Sequence, residues 1–237
     1  MSDLLFWFDP VCPFAWMTSK WVRVVADQRE YDVDWRPISL RLLNAHIDYD
    51  SHFPPEYERG HTAGLRLLRV AERTRTEHGP EAVARLYEAM GQAVFEVPPG
   101  QDVPGLLDQG LLLPDVLTAA GLPVELAGAL EDTGWDAGIQ ASTDEALALT
   151  GKDVGTPILQ FEPPDGVAFF GPVISRLPRD EDAVALWDHV IGLARFAGFA
   201  ELKRSLRELP QLPALGVAVD QAGRTEDWHA GSRRQKR

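Results

Sequence analysis

Cysteine is nearly absent from this chain of 237 residues, since Cys12 is the only one. A single cysteine excludes an internal disulfide, so nothing in the composition indicates an oxidising compartment. Positive charge is also in short supply, and the net charge of −13 argues against nucleic-acid binding, which needs a basic face. No apolar run approaches the roughly 18 residues of a membrane-spanning helix, and no secretory leader pattern opens the sequence. These absences predict a cytoplasmic protein with no nucleic-acid partner and no membrane association.

Two common kinds of ligand site are missing as well. No glycine-rich phosphate loop follows the first predicted strand. The six histidines show no metal-ligand spacing, so we expect no metal site. What remains is an ordinary globular composition, 45% hydrophobic and 25% charged, in a chain long enough for one large domain or two small ones.

The one cysteine lies in the most informative stretch of the sequence. An unbroken apolar run at residues 4–8 predicts a strand buried on both faces. Pro13 suits the first position of a helix, because its φ is preset and its missing N–H would have no partner there. Apolar residues at helical spacing continue that helix to about Gln28. Cys12 is therefore predicted to cap a helix that begins where a buried strand ends.

This position predicts a reactive thiol. The free N–H groups and the positive end of the helix dipole favour the thiolate, and cysteines at helix N-termini have pKa values lowered to roughly 3.5–7.5. A thiolate at neutral pH would make Cys12 a nucleophile. The alternative is that Cys12 is a small buried hydrophobic residue, the commoner role of a lone cysteine.

The remaining strands predict one sheet. A second strand at residues 33–38 completes a βαβ unit, which brings two strands together in parallel. Pro37 indicates that this strand is short or lies at a sheet edge. Residues 154–161 and 167–170, joined by turn residues, predict an antiparallel hairpin, and a helix follows at residues 180–197.

A long helical block separates the two groups of strands. Apolar residues at helical spacing predict helices at residues 56–77 and from Pro80 onward. Proline at the start and glycine at the end predict helices at residues 114–120 and 123–132, and a last helix is predicted at 136–150. A short helical piece is predicted up to Leu206, and the proline, glycine and mixed charge beyond it predict a flexible tail. The chain thus divides into a first part of a sheet domain (residues 1–41), a helical insertion (42–151), the second part of the sheet domain (152–206) and the tail (207–237).

Three separated motifs, in this order, resemble a known family. They are FDPVCPFAW at residues 8–16, GTP at 155–157 and FFGP at 169–172. The chain resembles a thioredoxin-fold protein of the DsbA family over residues 3 to about 205, and its motifs are similar to those of the actinobacterial mycothiol-dependent reductases, including the nitroreductase-like branch. The resemblance implies an α/β, thioredoxin-like fold with a large helical insertion.

The resemblance also implies roles for particular residues. Cys12 matches the family's redox-active nucleophile, and Pro157 matches the cis-proline that faces it and leaves the backbone of Thr156 free to pair with a bound thiol. The thiol-binding residues implied in this way are Pro13, Phe14, Trp16, Thr156 and Pro157. Trp16 and the nearby Trp7 fit equally well as large aromatic side chains of the core.

One departure from the family pattern decides the expected chemistry. Ala15 stands where a dithiol enzyme has its second cysteine, so a mixed disulfide on Cys12 must be resolved by an outside thiol. The resemblance therefore implies an oxidoreductase that has no tightly bound cofactor and uses mycothiol, or else glutathione, as cosubstrate with a disulfide or electrophilic substrate. A thiol transferase or isomerase similar to the kappa-class enzymes, and a non-catalytic binding module, are the alternatives. A homodimer is left open.

Overall fold

A four-stranded sheet organises the N-terminal and C-terminal thirds of the protein. The computed structural model describes residues 2–54, 56–229 and 232–233. Its sheet contains β1 (Leu4–Phe8), β2 (Val33–Pro37), β3 (Ile158–Phe161) and β4 (Ala168–Phe170), in the order β2-β1-β3-β4. The strand β1 pairs in parallel with β2 and antiparallel with β3, and β3 and β4 form the predicted hairpin. Since β1 is central, all five of its residues are buried, as its apolar run predicts.

Two helices pack against this sheet. The helix α1 (Pro13–Gln28) has proline in its first turn and Cys12 as its N-cap, both as predicted. After β4 comes a long helix whose bounds are Asp180–Arg195. Trp21 of α1 meets Trp187 of this helix edge to face at 5.1 Å, and its indole N–H donates to the carbonyl of Ala183 at 3.0 Å. This pair of helices and the strand directions confirm the predicted thioredoxin-like fold.

The helical insertion lies between β2 and β3. Its helices are α2 (Leu40–Leu43), α3 (Tyr49–His52), α4 (Glu56–His78), α5 (Pro80–Phe95), α6 (Val103–Asp108), α7 (Leu113–Ala119) and α8 (Asp136–Thr150), with 3₁₀ turns at Val124–Ala129 and Thr133–Trp135; Asp180–Arg195 is accordingly α9. Gly79 joins α4 to α5 with φ of +84°, a conformation that glycine adopts without strain. The sequence does not predict α6, because its six residues are too few to show helical periodicity.

The insertion shares one hydrophobic core with the sheet. Phe8 of β1 stacks on Tyr87 of α5 with ring centroids 3.8 Å apart. Gly91, one turn further along α5, lies so close to Trp16 of α1 that a Cβ at this position would overlap the indole ring. The insertion is thus packed directly against the first strand and first helix, where it can form a wall of any site at their junction.

The C-terminal segment differs from the predicted flexible tail. The structure places β5 (Leu206–Glu208), a 3₁₀ turn (Pro213–Leu215), β6 (Thr225–His229) and β7 (Ser232–Arg233) there, in a second sheet of order β5-β6-β7. No helix occurs at residues 197–205, so the helical piece predicted up to Leu206 is wrong. The strands are short and polar, and therefore carry little local pattern. We call residues 206–229 the C-terminal ribbon.

Contacts with the rest of the chain position this ribbon. Arg176 forms a two-point ion pair with Glu208, with N–O distances of 2.6 and 2.9 Å. The N–H of Gln211 donates to the carbonyl of Ser175 at 2.8 Å. Within the described residues no helix is long and apolar enough to cross a bilayer.

Candidate active site

The thiol of Cys12 lies at the start of α1, at the end of the sheet where β1 ends. Its sulfur accepts a hydrogen bond from the N–H of Ala15 at 3.4 Å, which is the N-cap contact that the sequence predicts. The same sulfur lies 3.4 Å from the carbonyl oxygen of Thr156, to which the thiol donates. Cys12 therefore bridges the helix start and the loop that precedes β3.

Strand pairing brings these two distant segments together. Because β1 and β3 run antiparallel, with Trp7 opposite Ile158, the C-terminal end of β1 and the beginning of β3 lie at the same end of the sheet. The loop at that end of the sheet contains Thr156 and Pro157, both buried, and the peptide bond between them is cis. The carbonyl of Thr156 faces the thiol, as the 3.4 Å contact with the sulfur shows.

A buried carboxyl group lies near the cysteine. Asp9 has no solvent exposure, and its two oxygens accept hydrogen bonds from the N–H groups of Val11 at 3.1 Å and Leu40 at 2.8 Å. Burial raises the pKa of Asp9 to about 7, against the lowering effect of these two donors. Gly64 of α4 permits this burial, since a Cβ there would lie 2.6 Å from an Asp9 oxygen.

The pKa of the cysteine itself does not follow the prediction. Burial raises the pKa of the Cys12 thiol; the contact with Thr156 and the N–H groups of Ala15 and Phe14 lower it, and the Asp9 charge raises it. The predicted lowering is therefore wrong for Cys12 in this structure. The N-cap geometry is present, but only 8% of Cys12 is exposed, and removing water from a thiolate costs more than the neighbouring hydrogen-bonding groups restore.

A cavity opens beside the thiol. The space beside it has an empty volume of about 560 Å³, a figure that includes the open solvent at its mouth. It is lined by Val11, Cys12, Pro13, Phe14, Leu40, Leu43, Asn44, Phe53, Tyr57, His61, Val154, Gly155, Thr156 and Trp228. The first helix, the insertion, the loop before β3 and the C-terminal ribbon thus each provide part of the wall.

The polar side chains that line the cavity are few, and the histidine among them is uncharged near pH 7. His61 hydrogen-bonds through Nδ1 to the hydroxyl of Tyr49 at 3.0 Å, and burial lowers its pKa to about 4, so it is neutral near pH 7. Within the described ranges, no group of three or more histidine, cysteine or acidic side chains could hold a metal ion. The cavity suits an organic molecule with a few polar groups.

The structure brings together some of the residues that the resemblance implied and leaves others apart. Cys12, Pro13, Phe14 and Thr156 line the cavity. Pro157 is buried and is not among the lining residues, and its carbonyl accepts from the N–H of Gly171 at 2.9 Å.

The tryptophans lie elsewhere. Trp16 is completely buried, and its indole N–H donates to Glu96 at 2.8 Å on the side of the insertion. Trp7 is also buried, in the cluster behind the sheet that includes Ile158. Both indoles occupy core positions, the alternative that the sequence left open.

Sequence reasoning missed three neighbours of the thiol. Asp9 stands inside the recognised motif, and an acidic residue between a buried strand and a buried cysteine was the signal that could have identified it. Trp228 and Arg207 carried no such signal, because they belong to the segment predicted to be flexible. Trp228 packs edge to face on Phe14 at 4.9 Å, and the guanidinium of Arg207 lies 5.8 Å from the Phe14 ring.

Comparisons with known proteins agree with this architecture. A family model described as Rv2466c-like, mycothiol-dependent nitroreductase Rv2466c, matches residues 11–204. The chain is 31% identical over 214 residues to the uncharacterised protein Rv2286c of Mycobacterium tuberculosis, an alignment covering 90% of this chain and 84% of that protein.

Two solved structures share the fold. One, assigned as a DsbA oxidoreductase of Streptomyces coelicolor, is 15% identical with a TM-score of 0.52, and the match covers 90% of this chain and 98% of that one. The other, assigned as a protein disulfide isomerase of Nitrosomonas europaea, is 16% identical with a TM-score of 0.50 and covers 80% of this chain and 98% of that one. At such identities the likeness concerns the fold alone.

Proposed function

Because this chain belongs to the Rv2466c-like family of mycothiol-dependent oxidoreductases, we propose that it is a monothiol enzyme in which Cys12 is the nucleophile and mycothiol is the cosubstrate. One observation carries the proposal: the Cys12 sulfur lies between a helix start and the Thr156 carbonyl, at the edge of a cavity, with Ala15 where a second thiol would be. A nucleophile placed in this way can form a mixed disulfide and cannot resolve it alone.

The proposed reaction has two exchange steps. The Cys12 thiolate attacks one sulfur of a disulfide; a new S–S bond forms to Cys12, the old S–S bond breaks, and the other half leaves as a thiolate that takes a proton. A mycothiol thiolate then attacks the mixed disulfide, which regenerates Cys12 and carries away the bound half. A second mycothiol reduces that product, so two mycothiol molecules are oxidised for each disulfide reduced.

The chain's own residues set when Cys12 ionises. With its pKa near 7, Asp9 is largely protonated below neutral pH, and in that form it places no negative charge beside the thiol. The N–H of Ala15 then offsets part of the effect of burial, although the pKa of the thiol stays raised. As Asp9 ionises, the same thiolate becomes less favourable.

The thiol site is proposed to lie in the cavity beside Cys12. Pro13 and Phe14 from α1, with Thr156 opposite, would contact the cosubstrate, and the Thr156 backbone would pair with it once the thiol proton no longer occupies its carbonyl. Pro157 and Trp16 would support these residues from behind. We further propose that the reaction takes place in the cytoplasm, where small thiols keep cysteines reduced.

Trapping the mixed disulfide tests this function. The protein is incubated with oxidised mycothiol or oxidised glutathione and examined by intact-mass spectrometry, with Cys12→Ser as the matched control. We expect one adduct on wild type, none on the control, and release of the adduct only when free thiol is added. A protein that forms no adduct with any disulfide, yet conjugates mycothiol to an electrophile, would instead be a thiol transferase.

A further inference from the structure

The C-terminal ribbon covers the nucleophile from outside the region that the family model matches. That match ends at residue 204, whereas the ribbon comprises residues 206–229. Its two strands pair antiparallel, with Leu206 opposite Asp227, and the N–H of Trp228 donates to the carbonyl of Ser205 at 2.8 Å. The ribbon thereby directs one large side chain, that of Trp228, onto the active site.

Trp228 closes one side of the cavity. Only 6% of its surface is exposed, its ring meets Phe14 at an interplanar angle of 80°, and it belongs to one buried cluster with Cys12 and Ala15. Because Trp228 also lines the cavity, it stands between the thiol and any molecule that approaches from the ribbon side. Cys12, in the same cluster, is only 8% exposed.

Arg207 fixes the tryptophan from the neighbouring strand. Its guanidinium lies 5.8 Å from the rings of Phe14 and Phe170 and 5.9 Å from that of Trp228, within the range of cation–π attraction. In the part of the chain that the structure describes, no carboxylate lies within ion-pair distance of Arg207. Its guanidinium therefore lies among aromatic rings, which include the ring of Trp228 in the cavity wall.

Disulfide exchange requires the two sulfurs to touch, so access decides which disulfides can react. A small disulfide can approach the thiol through the open mouth of the cavity, but a disulfide on a folded protein brings a surface with it, and that surface would meet the ribbon. We propose that Trp228 is a specificity-determining residue that restricts Cys12 to small-molecule partners and excludes disulfides of folded proteins. This inference rests on the proposed function for the identity of the reaction, but its size limit can be measured without turnover.

Two reagents with the same reactive group measure the size limit directly. N-ethylmaleimide and a maleimide attached to a folded carrier protein both add to the Cys12 thiolate, and their second-order rate constants are compared at one pH. The rate constant of the carrier-bound maleimide divided by that of N-ethylmaleimide measures how strongly the site excludes a folded protein. Any change in the pKa of Cys12 alters both constants equally and cancels from the ratio, and a cysteine in an unfolded peptide corrects for the slower diffusion of the carrier.

The chain offers matched variants. Trp228→Ala removes the barrier, whereas Trp228→Phe keeps a ring there and loses no hydrogen bond, because among the described residues the indole N–H has no partner. Val219→Ala, on a side chain of the same ribbon that is 79% exposed, is the control. Thermal unfolding of each variant verifies that the fold is retained.

We expect Trp228→Ala to raise the corrected ratio of the carrier-bound maleimide rate constant to the N-ethylmaleimide rate constant by roughly tenfold or more, a barrier change of about 1.4 kcal/mol. The ratios of Trp228→Phe and Val219→Ala should stay near that of wild type. If wild type already reacts with the carrier as readily as the peptide does, or if Trp228→Ala accelerates both reagents equally, the proposal is overturned. Failure of the proposed function would look different, since it would abolish disulfide exchange while the maleimide ratio kept its dependence on Trp228.

Discussion

Replacing Asp9 by asparagine should remove a pH dependence of stability that this buried carboxyl imposes. The folded-state pKa of Asp9 is about 7, whereas an unfolded aspartate has a pKa of about 3.9. Because the folded pKa is the higher one, the folded state binds the proton more tightly. The associated stability is fully present below the unfolded pKa, and it is lost as pH rises through the folded pKa.

The magnitude follows from the two pKa values. The complete loss is about 4 kcal/mol, and about 2 kcal/mol of it falls between about pH 5.5 and about pH 8.5. Asparagine has nearly the same shape and does not titrate, so this part of the slope should disappear. Its NH₂ group must oppose the N–H of Val11 or Leu40, both of which donate to Asp9, so the variant should also be less stable at low pH by about 1–3 kcal/mol.

Denaturant unfolding at the two pH values measures both effects. All other titrating groups are shared, so the difference between wild type and Asp9→Asn isolates this carboxyl, and Asp165→Asn, on an exposed turn, serves as the control. Alkylation of Cys12 in Asp9→Asn should also shift to lower pH, because the Asp9 charge raises the pKa of the thiol. If wild type and Asp9→Asn lose the same stability between the two pH values, Asp9 is already ionised at the lower one, and burial does not raise its pKa to near neutrality.

Two further predictions concern neighbouring positions. Ala15→Cys should form a reversible disulfide with Cys12, whose sulfur already contacts the Ala15 N–H, and should release a Cys12 adduct without added thiol; persistence of two free thiols under oxidising conditions in a thiol titration would contradict this. Gly91→Ala should destabilise the protein by about 1–3 kcal/mol in thermal or chemical unfolding, since its Cβ overlaps the ring of Trp16. The matched variant Gly60→Ala, in a helix with nothing near its Cβ, should be neutral or stabilising by up to about 1 kcal/mol; equal effects at the two glycines would refute the packing argument.

The sequence predicted the strands and helices that depend on residues close together in the chain. The apolar run of β1 and the proline at the start of α1 place both elements at their observed bounds, and with them the N-cap position of Cys12. The long helices α4 and α5 were predicted for the same reason, since their apolar periodicity extends over several turns. The contact between Cys12 and Thr156 came instead from the family resemblance, because the two residues are 144 positions apart.

Tertiary structure decided how each of these residues is surrounded. Helical spacing shows that Trp16 belongs to an apolar face, but only the packing of α5 against α1 shows that it faces the core and not the cavity. The pKa of Cys12 depends in the same way on how much water reaches the sulfur. The wall beside the sulfur includes Trp228, which belongs to a ribbon of short polar strands with almost no local pattern. The sequence by itself therefore determined that Cys12 caps the first helix, and the three-dimensional contacts of distant segments determined the pKa and the exposure of its thiol, because burial is a property of the assembled surface.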